Sequence, residues 1–218
     1  MENNLLDQIN KFKEDFYSKN KKPQLFKKKQ KIEIAKHISE NFSLDELIKK
    51  TVYNIPNTNK IILDYTIFKL FANETNYGIF LTYVTKIYTY CIEKYNSYEV
   101  HVNLKSLTPS GAERHKKCIE LFNIMTSECD ISGYLTNWYI YNPPSMIDFI
   151  KNLLKFVIQP VVFSKVNIIP KEESDVRLNE VLSLLHNTNL LQNSNSNTNT
   201  NTNSEYYENN EIWCKKKS

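Results

Sequence analysis

The chain has 218 residues, 41% of them hydrophobic, and a net charge of +4. That length supports one domain with a real core, and the mild positive charge is far from the signature of a nucleic-acid-binding protein. Lysines concentrate in residues 11–36 and 215–217. Such runs are typical of solvated helix faces and tails, or of a surface attracted to anionic membranes at about 1 kcal/mol per basic residue.

Neither a secretory signal nor an apolar run of the roughly 18 residues that span a bilayer is visible. The cysteines Cys91, Cys118, Cys129 and Cys214 lie far apart, which favours reduced thiols, and the four histidines show no metal-ligand spacing. We therefore expect a cytoplasmic protein, at most peripherally bound to membranes, with no metal and no cofactor.

Residues 1–55 are predicted to form a small helical N-terminal region. Leu5, Ile9 and Phe12 share one face of the first helix, and a second helix is predicted over residues 26–41. Ser43, with Glu46 three positions later, has the spacing of a capping box and predicts the start of a third helix.

Residues 56–186 alternate between strand-like and helix-like segments. The strands are predicted at 60–64, 98–104, 135–141 and 164–169. The helices are predicted at 77–95, 108–129, 145–158 and 173–185, and residues 66–71 fit either state. This order predicts an α/β domain with a mainly parallel sheet flanked by helices.

The helix predicted at 145–158 is amphipathic. Its apolar side chains recur at spacings of three and four: Met146, Phe149, Ile150, Leu153, Leu154 and Val157. From residue 187 onward the chain is an Asn/Ser/Thr tract without apolar surface, which predicts a disordered tail over 187–218.

Three pieces of this region, in their order and spacing, resemble the CRAL-TRIO lipid-binding domain family, in which phosphatidylinositol-transfer proteins are found. They are the strand and helix start VNLKSLTPSGAERHKKCIELF, the strand and turn WYIYNPP, and the segment FIKNLLKFVIQPVVFSKVNII. The resemblance extends over residues 60–185, about half of the chain, which looks like a divergent member of the family.

The resemblance implies a bowl whose floor is the sheet and whose lid is the helix at 145–158, with a lipid tail inside. The lid opens at a membrane surface, where the lipid is exchanged. The floor residues would be Val100, Val102, Leu104, Trp138 and Ile140. The lid residues would be Phe149, Ile150, Leu153, Leu154 and Val157. The implied function is binding, and transfer between membranes, of a hydrophobic lipid.

The headgroup positions of the family are only partly present. Lys165 matches the family's lysine, whereas Gly133 and Val162 stand where the inositol-lipid binders have Glu and Thr. We therefore expect Lys165 to contact the headgroup of a different lipid, such as a sterol, a fatty chain or another phospholipid.

Two alternatives stay open beside lipid transfer. Divergent CRAL-TRIO-like domains of the GTPase-regulator or scaffold type bind protein partners, and there the cavity is filled by side chains; Trp138, Tyr139, Tyr141 and Phe156 are large enough to fill it. A scaffold whose basic N-terminus binds a partner also fits the composition.

An enzyme is not expected. No dinucleotide or phosphate-binding glycine motif occurs, and Glu113, Arg114 and His115 are interpreted as a solvated helix start.

Overall fold

A computed structural model of the chain describes residues 3–20, 27–128, 131–145, 148, 152 and 160–193. The strands are β1 Val52–Asn54, β2 Lys60–Asp64, β3 Tyr98–Asn103, β4 Leu135–Tyr141 and β5 Val166–Ile168. The helices before β3 are α1 Asn3–Lys19, α2 Lys27–Asn41, α3 Leu44–Thr51, α4 Tyr65–Phe71 and α5 Tyr77–Tyr95. Those after it are α6 Pro109–Arg114, α7 Lys116–Glu128, α8 Pro160–Phe163 and α9 Lys171–Asn193.

The five strands form one sheet in the order β1-β2-β3-β4-β5. β1 is antiparallel to β2, and β2 through β5 run parallel. The α/β class with a mostly parallel sheet and flanking helices is therefore confirmed.

Helices cover both faces of this sheet. The connection from β2 to β3 contains α4 and α5, and that from β3 to β4 contains α6 and α7. Right-handed crossovers between neighbouring parallel strands bring such helices to the same face, and here the side chains of α4–α7 meet those of Leu63, Val100 and Ile140. On the other face, Leu178 and Leu182 of α9 pack with Tyr139 and Tyr141.

The N-terminal helices share the core of the sheet. Ile9 of α1 and Ile38 of α2 are fully buried in the same cluster as Phe71 and Val52. The expected boundary at residue 55 falls between β1 and β2, which pair with Val52 opposite Leu63. Residues before 55 thus supply an edge strand and part of the core.

Side-chain caps fix three helix starts. The Ser43 hydroxyl accepts from the Glu46 amide at 3.2 Å, as the capping-box spacing predicts. Thr108 caps α6 by accepting from the Gly111 amide at 3.2 Å, with Pro109 at the first helical position. Asp64 accepts from the Thr66 amide at 2.6 Å, so the segment that the sequence left undecided is a helix.

Other elements differ from the prediction. The helix predicted over 108–129 is divided at His115, whose backbone leaves the helical region. The last helix continues to Asn193, so the start of the expected tail is helical. The short strand β1 follows α3 without a loop, and its three residues carry too little pattern to be recognised. Most of the predicted helix at 145–158 lies outside the described residues.

Candidate functional site

An apolar cavity of about 190 Å³ lies between the sheet and the helices α4–α7. Its wall is almost entirely carbon. The strands contribute Leu63, Val100, Val102, Leu104, Trp138 and Ile140. Such a surface offers a ligand dispersion contacts and the removal of apolar area from water, worth about 25 cal/mol per Å².

The structure places all five predicted floor residues in the wall of this cavity. Val100 and Val102 share one side of β3 because strand side chains alternate, and Trp138 and Ile140 lie opposite them on β4. Leu104 follows β3 directly and also lines the cavity. Leu63, which pairs with Val102, belongs to the same face and was missed, because the apolar run of β2 does not alternate and its inward face is set by the pairing with β3.

The predicted lid residues Phe149, Ile150, Leu153, Leu154 and Val157 lie outside the described residues, as does Phe156. Among the described residues, the side of the cavity opposite the sheet is formed by helices α4–α7. The largest side chains there are Tyr65 and Phe68 of α4, Phe80 and Tyr88 of α5, and Phe122 of α7. The spacing of three and four residues in α5 predicts its inward face but not that this face meets a cavity.

Lys165 lies away from the cavity wall. Its ammonium donates to the Leu135 carbonyl oxygen, and its own carbonyl accepts from the Trp138 amide at 2.9 Å. Lys165 therefore sits beside the amino ends of β4 and β5. In the described residues this lysine holds the chain before β5 and reaches no headgroup pocket.

One polar group of the cavity wall is an imidazole. His115 is 3% exposed, which corrects its interpretation as part of a solvated helix start. Burial, and then the nearby Arg114 guanidinium, lower the pKa of His115 to about 3. Arg114 Nε donates to His115 Nε2 at 3.1 Å, so the neutral ring carries its proton on Nδ1, 2.9 Å from the Tyr77 hydroxyl. This imidazole is a hydrogen-bonded wall residue without a free nitrogen.

The cavity wall also contains a thiol and an indole. Burial raises the pKa of the Cys118 thiol to about 12, so it is an inert thiol and not a nucleophile. The Trp138 indole N–H is buried and finds no acceptor among the described residues. An unpaired buried donor costs about 1–3 kcal/mol.

Two of the aromatic side chains that were expected to be large enough to fill the cavity lie on the opposite face of the sheet. Tyr139 and Tyr141 flank the His101 ring at centroid distances of 5.1 and 5.8 Å and pack under α9. Neither ring reaches the cavity. Of the described aromatic candidates, Trp138 is the one that lines it.

The sheet face under α9 holds a buried polar network. His101 Nδ1 lies 2.9 Å from the Tyr141 hydroxyl, and His101 Nε2 lies 2.8 Å from the Glu99 carboxylate. Lys60 also binds Glu99. Although burial opposes it, hydrogen bonds from His101 and Lys60 lower the pKa of Glu99 to about 2. The network ties β2, β3 and β4 together and contains no nucleophile.

Within the described part of the chain, no three His, Cys, Asp or Glu side chains come close enough to hold a metal ion. None of the described helices combines the length and the apolar character needed to cross a membrane.

We expect Gly111→Ala to destabilise the protein by about 1–3 kcal/mol, because overpacking in a tight region costs that much. A Cβ atom at Gly111 would lie 2.5 Å from the Tyr65 hydroxyl oxygen, at the cavity's edge, and 3.3 Å from Thr108 Oγ1. Urea unfolding measures the change. The matched control is Gly78→Ala in α5, where a Cβ meets nothing within 4 Å. An equal loss in both variants contradicts the tight contact.

Comparison of the chain with protein-family models, curated proteins and solved structures finds no match. A function is therefore proposed from the architecture and from the apolar cavity.

Proposed function

We propose that the protein binds the hydrocarbon part of a lipid in the apolar cavity and acts as a non-enzymatic lipid-binding or lipid-transfer protein. The observation that carries this proposal is the cavity of about 190 Å³ whose strand side is built from one face of β2, β3 and β4. The resemblance to CRAL-TRIO domains supports it, because that family holds its lipid against a sheet.

The cavity volume bounds the ligand. A dry cavity of about 150 Å³ lined by Leu, Ile and Phe binds benzene, whereas sites for drug-sized ligands begin near 300 Å³. A volume of about 190 Å³ therefore accepts a ring or a segment of a single hydrocarbon chain without rearrangement. In this proposal an outward movement of the cavity's cover makes room for the rest of a longer chain.

Such movement is coupled to a membrane in this proposal. Exposing an apolar cover to water costs about 25 cal/mol per Å², and a bilayer removes that cost. Lysines on the surface would attract an anionic membrane at about 1 kcal/mol each. A cytoplasmic protein that meets membranes transiently and peripherally follows from this proposal.

The polar groups of the wall favour binding over catalysis. His115 is held neutral by burial, and its nitrogens face Arg114 and Tyr77. The raised pKa of Cys118 keeps its thiol protonated. Neither group is arranged as a nucleophile with its base.

The alternative function is a protein-interaction module of the GTPase-regulator or scaffold type. The observation that favours it is the cavity volume, which is smaller than the roughly 300 Å³ at which sites for drug-sized ligands begin. In that case the cavity is a packing defect, and the protein partner binds elsewhere on the surface.

Native mass spectrometry of the freshly purified full chain tests the proposal. We expect a population heavier than the polypeptide by the mass of one lipid, which organic extraction releases and identifies. A single peak at the polypeptide mass, together with no uptake from vesicles that contain fatty acid, phosphatidylcholine and sterol, supports the interaction module instead.

A further inference from the structure

A second pocket, of about 320 Å³, opens to solvent between α1, α2, α4 and the start of α6. Five basic side chains from these four helices line it: Lys13, Lys28, Lys31, Lys69 and Arg114. Segments that are distant in the sequence thus bring one sign of charge to one concave surface. Concave surfaces of a single charge sign focus the field on a ligand of the opposite sign.

Two of these cations are held in place by the protein. Lys69 Nζ donates to the Ser106 hydroxyl. Arg114 Nε donates to His115 Nε2 at 3.1 Å, and Arg114 Nη2 lies 3.5 Å from the Lys69 carbonyl oxygen. A guanidinium has five N–H donors, so Arg114 retains donors for a ligand. The pocket is therefore partly pre-organised.

Acidic residues compensate the positive charge of the pocket only in part, with Glu14 near Lys13 and Asp64 near Lys69. None of the five residues takes part in the ion pairs found among the described residues. The neighbouring acid Asp64 accepts from the Thr66 amide and hydroxyl and from the Asn103 amide. Burial and the charge of Lys13 lower the pKa of Lys69, the Asp64 carboxylate raises it, and the charges of Arg114 and Lys31 lower it further.

Hydroxyl groups form another part of the pocket wall. They belong to Ser106, Thr108 and Ser110, and the hydroxyl oxygens of the last two lie 3.2 Å apart. A phosphate group presents several acceptor oxygens, which Arg, Lys and hydroxyl donors match. Because five cations exceed what one phosphate dianion neutralises, we propose that this pocket binds a small anion carrying at least two phosphate groups.

The anion site is separate from the apolar cavity and does not depend on lipid binding. Tyr65 lines both spaces and forms part of the partition between them. The anion is either a free phosphorylated metabolite or the headgroup of a phosphorylated lipid, since both present the same charged groups to the pocket.

Isothermal titration calorimetry with tripolyphosphate tests the free anion, and flotation with vesicles tests the headgroup. The vesicles contain phosphatidylcholine alone or with added phosphatidylinositol bisphosphate. We expect Lys13→Gln combined with Lys31→Gln to weaken binding about 100-fold, since a lost charge-assisted contact costs about tenfold. Raising the salt concentration should weaken binding of the unmodified chain as well.

The control is Lys36→Gln combined with Lys116→Gln, which removes the same charge from exposed lysines paired with Glu40 and Glu120. We expect it to change binding by about twofold or less, because exposed charges are screened. Binding of tripolyphosphate that the pocket variant loses assigns a free anion. A lipid headgroup is assigned if the chain binds vesicles with phosphatidylinositol bisphosphate but not tripolyphosphate, and if the pocket variant loses that binding. No binding to either probe, or equal losses in both variants, overturns the site.

Discussion

Lowering the pH from 6.5 to 3 is expected to remove about 4 kcal/mol of folding free energy through His115 alone. The folded imidazole has a pKa of about 3, against 6.5 for the unfolded chain. The unfolded state therefore takes up the proton first, and stability falls by up to about 1.4 kcal/mol per pH unit within that window. Above pH 6.5 this contribution is fully present.

Glu99 adds to the acid sensitivity in a lower window. Its pKa is about 2 in the folded protein, against 4.5 for the unfolded chain, so its stabilising contribution is present above pH 4.5 and is lost as the pH falls toward 2. The two groups act in the same direction but over different ranges. Of these two groups, only His115 therefore makes the free energy of unfolding depend on pH between pH 6.5 and 4.5.

Urea unfolding at a series of pH values measures this slope, and two variants assign it. His115→Gln should flatten the dependence between pH 6.5 and 4.5 because the titrating group is gone. His37→Gln is the matched control, since His37 is exposed at 44% beside Glu40 and should leave the slope nearly unchanged. If the His115→Gln variant keeps the original pH dependence of unfolding, the His115 imidazole is hydrated in the folded protein. Water then reaches this part of the cavity wall.

Val102→Phe is expected to weaken hydrocarbon binding by about two orders of magnitude while the protein stays folded. Val102 is 7% exposed and lines the cavity between Leu63 and Ile140. A phenyl ring at this position occupies space that the ligand needs. Filling an existing cavity commonly raises stability by about 0.5–2 kcal/mol, whereas overpacking costs about 1–3 kcal/mol.

Fluorescence titration with cis-parinaric acid measures the binding, and thermal unfolding reports the fold. Val176→Phe is the matched substitution, because Val176 is 61% exposed on α9 and away from the cavity. It should bind like the unmodified chain. Equal affinity of both variants places the fatty chain elsewhere and removes the cavity as its site.

The sequence predicted most of the strands and the orientation of their side chains. Alternation in residues 98–104 places Val100 and Val102 on one face, the resemblance implied Trp138 and Ile140 as their neighbours, and the pairing of β3 with β4 brings the four together. The strand propensity and the spacing of residues are local properties of the sequence, so they were enough to predict these strands. They also sufficed for α5, whose predicted bounds at 77 and 95 match the structure.

What the sequence could not show depends on contacts between distant segments. The helical spacing of His115 with Ile119 and Phe122 fits an inward face, but the sequence does not show that Tyr77 from another helix would bind its ring. The basic pocket joins Lys13, Lys31 and Arg114 from separate helices, and a lysine-rich stretch alone looks like a solvated face. Strand alternation equally gave no sign that the face with Glu99 and His101 would be buried.

Methyl NMR of the full chain with bound lauric acid tests the central claim most directly, because it reports which side chains touch the hydrocarbon. The account predicts nuclear Overhauser contacts from the acyl chain to the methyl groups of Val100, Val102 and Ile140. It predicts none to Ile62 or Leu178, which lie on the opposite face of the sheet. Contacts to those two residues, or saturating lauric acid without any contact to the cavity methyl groups, would contradict it.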